Sequence, residues 1–213
     1  ITCNRHSKLK TLPEAIMTLI SPPPMIPAGD WPEQGAWTYA DYSRLPDTGW
    51  RYEIIEGELF MSPAPHPKHQ IVINRLGTAL TNHVNQHQKG QIIYAPIDVF
   101  LPTENTSVQP DILFLAQDRL DLISDRGIEG PPDLIIEILS PSNWIIDRQD
   151  KFVLYEKSGV KEYWIVDIKQ QTIEVFSLTA AGYEILGKYQ GRDQAPSRQV
   201  DGFSIPVDDV CPG

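Results

Sequence analysis

The run Leu134-Ile135-Ile136-Glu137-Ile138-Leu139 constrains this chain more than any other segment. Its apolar residues do not alternate with polar ones, so it reads as a strand buried on both faces of a sheet, with packed layers on either side. Glu137 sits in the middle of it. An unpaired carboxylate costs at least several kcal/mol in such surroundings, so a cation, a proton or a network of donors must compensate it. A metal ion is the sharpest of these candidates. The plainer reading is a Glu that reaches solvent at a sheet edge or end, or pairs with a nearby Lys or Arg.

A chain of 213 residues with 41% hydrophobic content can bury one domain of ordinary size. The expected organisation is an N-terminal arm over residues 1–36 and a single domain over residues 37–213. Ser21-Pro22-Pro23-Pro24-Met25-Ile26-Pro27 cannot be helical, while Ile16, Leu19 and Ile20 suggest a short docking segment within the arm. The 28 acidic residues outnumber the 18 basic ones and give a net charge of −10, which repels a polyanion at long range. Contact with nucleic acid must therefore be local, assisted by a divalent cation, or built by an oligomer.

Cys3 and Cys211 lie near opposite ends, without CxxC or Cys/His ligand spacing, so neither a disulfide framework nor a zinc site is suggested. A reducing, cytoplasmic setting is expected. No apolar stretch has the length of a membrane span, and the first residues hold no signal-peptide core of adequate length. Dinucleotide, ATP and serine-hydrolase chemistry lack their glycine-rich or nucleophile-elbow spacings.

From Trp50 onward the punctuation is regular. Arg51 to Ile55 and Glu58 to Met61 flank Glu56-Gly57 and predict a hairpin. Ile73, Leu76, Leu80 and Val84 recur at helical spacing between Pro67 and Gly90, which predicts a long amphipathic helix. Gln91 to Leu101 and Val108 to Leu115 are β-rich runs joined by a polar loop, and Asp133 to Leu139 is the strand that carries Glu137. Asp147 to Ser158 reads as a helix with Gly159 just past its end. Glu162 to Val166, Thr172 to Leu178 and Tyr183 to Tyr189 are further strands, and the remainder reads mostly as loop. The central order is helix, strand, strand, strand, helix, strand, which belongs to an α/β fold with a mixed sheet.

Residues 37–178 resemble the Uma-type family of bacterial endonucleases, a branch of the PD-(D/E)XK restriction-endonuclease-like superfamily. The segments carrying the resemblance are Arg51-Tyr52-Glu53-Ile54-Ile55-Glu56-Gly57-Glu58-Leu59, His69-Gln70, Gln109-Pro110-Asp111 and Pro132-Asp133 through Ser142. They continue through Asp147, Lys151, Tyr155 and Gly159 to Asp167. The resemblance implies a restriction-endonuclease-like core (αβββαβ), to which this chain adds an N-terminal hairpin and C-terminal strands. It also implies a Mg²⁺- or Mn²⁺-dependent endonuclease acting on DNA.

Such chemistry explains why these residue types belong together. Mg²⁺ prefers hard oxygen ligands and is usually held by one or two carboxylates plus substrate phosphate; Asp111 and Glu137 fill that role in the resemblance. The ion polarises the phosphate and makes hydroxide available near neutral pH, and a lysine beside the water offsets developing charge. The superfamily signature expects that lysine two residues after the Glu, where this chain has Leu139. Lys151, fourteen residues after Glu137, takes its place in the resemblance and shares a helix face with Asp147 and Tyr155. Taken alone, it would pass for half of a surface ion pair.

Asp133 is the rival for the signature aspartate. Four residues from Glu137 on one strand, it stands about 13 Å away, too far to share a small ion, and is read as a strand-entry residue. Glu58 and Glu53 are secondary candidates, Glu58 being the preferred accessory carboxylate, and His69 is the accessory group near the start of the long helix. His83 and His87 lack the intervening Glu of a metal-binding helix and read as a solvated face. Two functions are thus in play: a metal-dependent DNA endonuclease working as a dimer or larger homo-oligomer, or an inactive relative that keeps the fold for binding or assembly. A smaller phosphodiester is a third substrate class, one that the acidic surface repels less.

Overall fold

The computed structural model describes residues 31–46, 49–62, 65–102, 105–140 and 148–211. Most of the expected arm, residues 1–30, and Asp147 lie outside the described residues. Residues 31–37 lie along the first hairpin: Gly35 and Trp37 donate their N–H groups to Gly57 O, and Trp31 stacks on Trp37. A one-turn helix, α1 (Tyr39–Tyr42), follows, with Thr38 and Asp41 forming the capping box that their spacing predicts.

Strands β1 (Arg51–Ile55) and β2 (Glu58–Ser62) form the expected hairpin. Its turn places Gly57 at φ +78° against the Gly35 carbonyl, where a Cβ has no room. Helix α2 (Pro67–His87) starts with proline in its first turn. Strands β3 (Gly90–Tyr94), β4 (Val99–Phe100), β5 (Ser107–Val108) and β6 (Ile112–Ala116) follow. The paired runs expected here divide between two sheets, since β3 pairs with β6 while β4 pairs with β5. Pro96, which cannot donate to a ladder, lies at the break. After a 3₁₀ segment come β7 (Ile123–Ser124), β8 (Gly127–Glu129) and β9 (Leu134–Ile138), the strand of Glu137.

Helix α3 (Asp150–Ser158) ends on Gly159 at φ +84°, as the sequence predicts. Strands β10 (Glu162–Asp167), β11 (Thr172–Thr179) and β12 (Gly182–Gln190) complete the main sheet. Its order is β12-β11-β10-β9-β6-β3, with β9 parallel to β10 and the other neighbours antiparallel. The core α2-β3-β6-β9-α3-β10 is the predicted αβββαβ order. The N-terminal hairpin belongs to a second six-stranded sheet, β2-β1-β5-β4-β8-β7, that the sequence pattern did not reveal.

Alternation along β9 assigns its two faces. Leu134, Ile136 and Ile138 pack with Val72, Leu76, Leu80 and Val84 of α2. Ile135 faces the other way, with Leu154 and Tyr155 of α3 and with Ile55 and Phe60 of the second sheet. Glu137 shares that face, so the carboxylate lies between layers rather than at an edge.

The C-terminal segment departs from the expected loop. It forms β13 (Gln194–Pro196), β14 (Ser204–Pro206) and the short α4 (Val207–Val210), and buries Val200, Phe203, Ile205, Val207 and Val210 in the α2 layer. Buried Glu162 anchors it, accepting from the N–H groups of Arg198 and Gln199 at 2.6 and 3.1 Å and from Trp164 Nε1 at 2.6 Å. Three-residue strands carry too little periodicity to be read from sequence. Among the described residues no helix is long and apolar enough to cross a membrane.

Candidate active site

Strands β6 and β9 pair Ile112 with Ile136, and one further step along the same register sets Asp111 directly opposite Glu137. Cross-strand partners stand roughly 4.5–5.5 Å apart at Cβ and point to one face. Two carboxylates, 3% and 2% exposed, are thereby brought together by strand register alone. Asp133 enters the same strand at its far end. Its Oδ2 accepts from Ala116 N at 2.9 Å and its Oδ1 from Arg119 and Lys161, both at 2.7 Å.

Helix α3 covers this face and delivers Lys151 and Tyr155, one turn apart. Lys151 is 1% exposed, and its Nζ lies 2.9 Å from Glu137 Oε1 and 3.0 Å from Glu53 Oε1. Tyr155 donates to Glu137 Oε1 at 2.7 Å. A surface ion pair for Lys151 is excluded by its burial.

Strand β1 closes the site from the second sheet. Arg51 and Glu53 are two residues apart and so face the same way. Arg51 Nη1 donates to Asp111 Oδ1 at 3.1 Å, and Glu53 Oε1 accepts from Gln109 N at 2.7 Å. From the first turn of α2, His69 Nε2 lies 3.1 Å from Asp111 Oδ2, which also accepts from Ile138 N at 2.9 Å.

Glu58 is the sequence-preferred accessory carboxylate, yet it stands opposite Ile55 near the hairpin turn and is half-buried. There it lines a cavity of about 350 Å³ with Phe60, Asp150, Val153 and Leu154. Glu53 occupies the central position instead. Its signal was legible in principle, because a strand with apolar Tyr52 and Ile54 on one face and Ile55 on the other buries its polar residues too. Arg51 carries the same signal and was missed as a site residue. His83 and His87 bond to Asp201 O and His83 O respectively.

Three carboxylates face Arg51, Lys151 and, when protonated, His69. Burial opposes ionisation of Glu53, but Lys151, Arg51 and the Gln109 N–H together hold its carboxyl below the usual value. Burial likewise opposes ionisation of Asp111, and the His69 bond, the Arg51 charge and the Ile138 N–H outweigh it, leaving Asp111 well below the usual carboxylate range. Glu137 goes the other way: burial raises its pKa, Lys151 offsets this only in part, and the Asp111 charge adds to the rise. Glu137 is thus the member of the trio that most readily takes a proton, or a cation in its place. Burial lowers and the Asp111 bond raises the His69 pKa, with a net upward shift. Burial and the Glu137 charge raise the Tyr155 pKa, so its hydroxyl remains a donor.

The donor set is hard oxygen on two facing carboxylates, which suits Mg²⁺ or Mn²⁺. Among the described residues no group of three or more His, Cys, Asp and Glu side chains is arranged to hold a metal. That does not conflict with a Mg²⁺ site, since this ion usually takes one or two carboxylates and completes its shell with water and phosphate.

The model of the Uma2 family, described as "Putative restriction endonuclease", matches residues 39–208. The chain is 26% identical over 166 residues to the uncharacterized protein slr1290 of Synechocystis sp., covering 76% of this chain and 84% of that one. The crystal structure of a "putative nuclease belonging to DUF820" from Anabaena variabilis superposes with a TM-score of 0.69 at 20% identity. That alignment covers 82% of this chain and 97% of the other. The shared fold is the restriction-endonuclease-like one.

Proposed function

Because this chain belongs to the Uma2 family and has the restriction-endonuclease-like fold, we propose that it is a Mg²⁺- or Mn²⁺-dependent endonuclease that hydrolyses phosphodiester bonds in DNA. The observation that carries this reading is the buried ammonium of Lys151 between Glu137 and Glu53. It supplies from α3 the amine that the superfamily signature places where this chain has Leu139. Asp111 and Glu137 would hold the ion, which when bound polarises the phosphate and lowers the pKa of a coordinated water.

The chain's own residues do the rest. Both described bonds to Glu137 fall on Oε1, so Tyr155 and Lys151 fix the carboxylate through that oxygen. Lys151 orients the attacking water and offsets negative charge as the phosphorus–oxygen bond to the leaving group breaks. Glu53 holds Lys151 from the second sheet. His69 is an accessory group acting through Asp111, and Glu58 stands outside this machinery.

Residues 37–213 form the catalytic domain in this reading, residues 1–36 an arm, and the protein works in the reducing cytoplasm. The net charge of −10 leads us to a homo-oligomer, at least a dimer, whose joined surface compensates phosphate repulsion. Sedimentation velocity gives a single monomer boundary if that part is wrong. The activity is tested by incubating supercoiled, linear and single-stranded DNA with wild type, Asp111→Asn, Glu137→Gln and Lys151→Ala in Mg²⁺, Mn²⁺ or EDTA. A wild type that cuts nothing, or variants that cut equally well, overturns it.

A second reading is an inactive nuclease-fold protein with a binding or assembly role. Its support is that both Asp111 oxygens already have partners in Arg51, His69 and Ile138 N. The same assay separates the two, because folded wild type then cuts under no metal condition.

A further inference from the structure

Among the described residues, three buried nitrogen atoms at this site have no hydrogen-bond partner: Arg51 Nε, Arg51 Nη2 and His69 Nδ1. Buried polar groups are nearly always satisfied, so unpartnered atoms on two side chains that both bond one carboxylate point to something the site is built to receive. Asp111 holds both side chains, Arg51 through Oδ1 and His69 through Oδ2. Arg51 uses Nη1 for that bond, which leaves free the edge formed by Nε and Nη2. Those two N–H groups are parallel and form the fork that matches two oxygens of a phosphate.

Arg51 Nη2 is 3.8 Å from Glu53 Oε1, an ion-pair distance too long for a hydrogen bond. Glu53 Oε1 is already engaged by Lys151 and Gln109 N. The side chain of Arg51 keeps 19% of its surface exposed through its other atoms, while Nε and Nη2 are themselves covered, and Asp111 beneath it keeps 3%. His69 lies in the first turn of the 21-residue α2, where the helix field favours an anion.

We infer that Arg51, braced by Asp111, is the residue that recognises the phosphate group undergoing hydrolysis, gripping two of its oxygens through Nε and Nη2. This rests on the proposed nuclease reading and adds a substrate-binding residue to it. The alternative role for Arg51 is structural: a positive charge that merely neutralises Asp111. Lysine at position 51 keeps that charge but not the fork, so the two roles diverge there.

The experiment measures anisotropy of a fluorescein-labelled DNA duplex with Ca²⁺ replacing Mg²⁺, and cleavage in Mg²⁺, for wild type and Arg51→Lys. The expected result is about tenfold weaker duplex binding and at least a tenfold fall in cleavage for Arg51→Lys, with an unfolding midpoint close to wild type. Cutting and binding by Arg51→Lys at wild-type levels overturns the inference while leaving the nuclease reading intact. A wild type that neither binds nor cuts DNA removes both. Should Arg51→Lys fail to fold, ¹⁵N NMR of wild type in EDTA decides: inorganic phosphate shifts the Arg51 Nε–H resonance if the fork receives it, and an unmoved resonance overturns the inference.

Discussion

Lys151 Nζ lies 2.9 Å from Glu137 Oε1 although fourteen residues separate them, because α3 folds back over the face of β9 that carries the carboxylate. The same ammonium is 3.0 Å from Glu53 of the other sheet. One buried cation therefore ties together three elements from two layers.

Lys151→Met leaves Glu137 and Glu53 buried without their shared cation, and is expected to cost about 3–5 kcal/mol of stability. Adding Glu137→Gln recovers part of that loss, since one uncompensated charge disappears. Urea unfolding of the two single variants and the double variant measures the coupling. Strict additivity would show that the pair is not interacting.

Tyr155→Phe removes only the hydroxyl that donates to Glu137 Oε1 at 2.7 Å. Hydrogen bonds to charged groups contribute about 1.5–3 kcal/mol, so the unfolding free energy falls by that order. Cleavage falls as well if Tyr155 orients Glu137, and the ratio of kcat to KM effects reports whether orientation or binding suffers.

Glu53 and Glu58 are separated by the structure and offer a direct contrast. Glu53→Gln loosens Lys151 and is expected to lower the cleavage rate about 100-fold through misplacement of the amine. Glu58→Gln, at the hairpin turn, changes stability by no more than about 0.5 kcal/mol and leaves the rate near wild type. Steady-state cleavage of one duplex substrate by both variants is sufficient.

Divalent metal is expected to stabilise wild type, by about 2.7 kcal/mol at a concentration of 100 Kd. Asp111→Asn and Glu137→Gln each abolish the rise in Tm with Mg²⁺ or Mn²⁺, and EDTA reverses it in wild type. A rise that persists in both variants places the ion elsewhere.

Asp133 provides the pH test, away from the carboxylate cluster. Burial alone would raise its pKa, but the Ala116 N–H, Lys161 and Arg119 hold it below the ordinary 3.8. The ionised carboxylate is therefore better stabilised in the folded chain than in the unfolded one. That contribution is complete above the ordinary value and is lost as pH falls through the lower folded-state value. Asp133→Asn flattens this acid limb of stability, measured by circular dichroism against pH, and costs about 3 kcal/mol at neutral pH.

Glu137 was legible as a candidate because a carboxylate in a buried strand breaks a local rule, whereas Asp111 at a strand start and Lys151 on a helix face break none and stood out only through the family resemblance. Glu53 ranked below Glu58 because nothing in a hairpin's own sequence says which of its charges will be covered by another layer. Arg51 was missed for the same reason. The C-terminal segment read as loop because its strands and its helix are only three and four residues long, and they are held by Glu162 and by burial against α2.

Sequence by itself determined the αβββαβ order, the buried character of β9, the extent of α2 and the end of α3, because hydrophobic period, proline and glycine act over a few neighbouring residues. Tertiary structure alone decided that Asp111 stands in register with Glu137, that Lys151 is buried between two carboxylates, and that Arg51 presents beside them a fork without a hydrogen-bond partner. Register and layer packing join residues distant in the chain, and their energies depend on burial and mutual charge that exist only once the layers have closed.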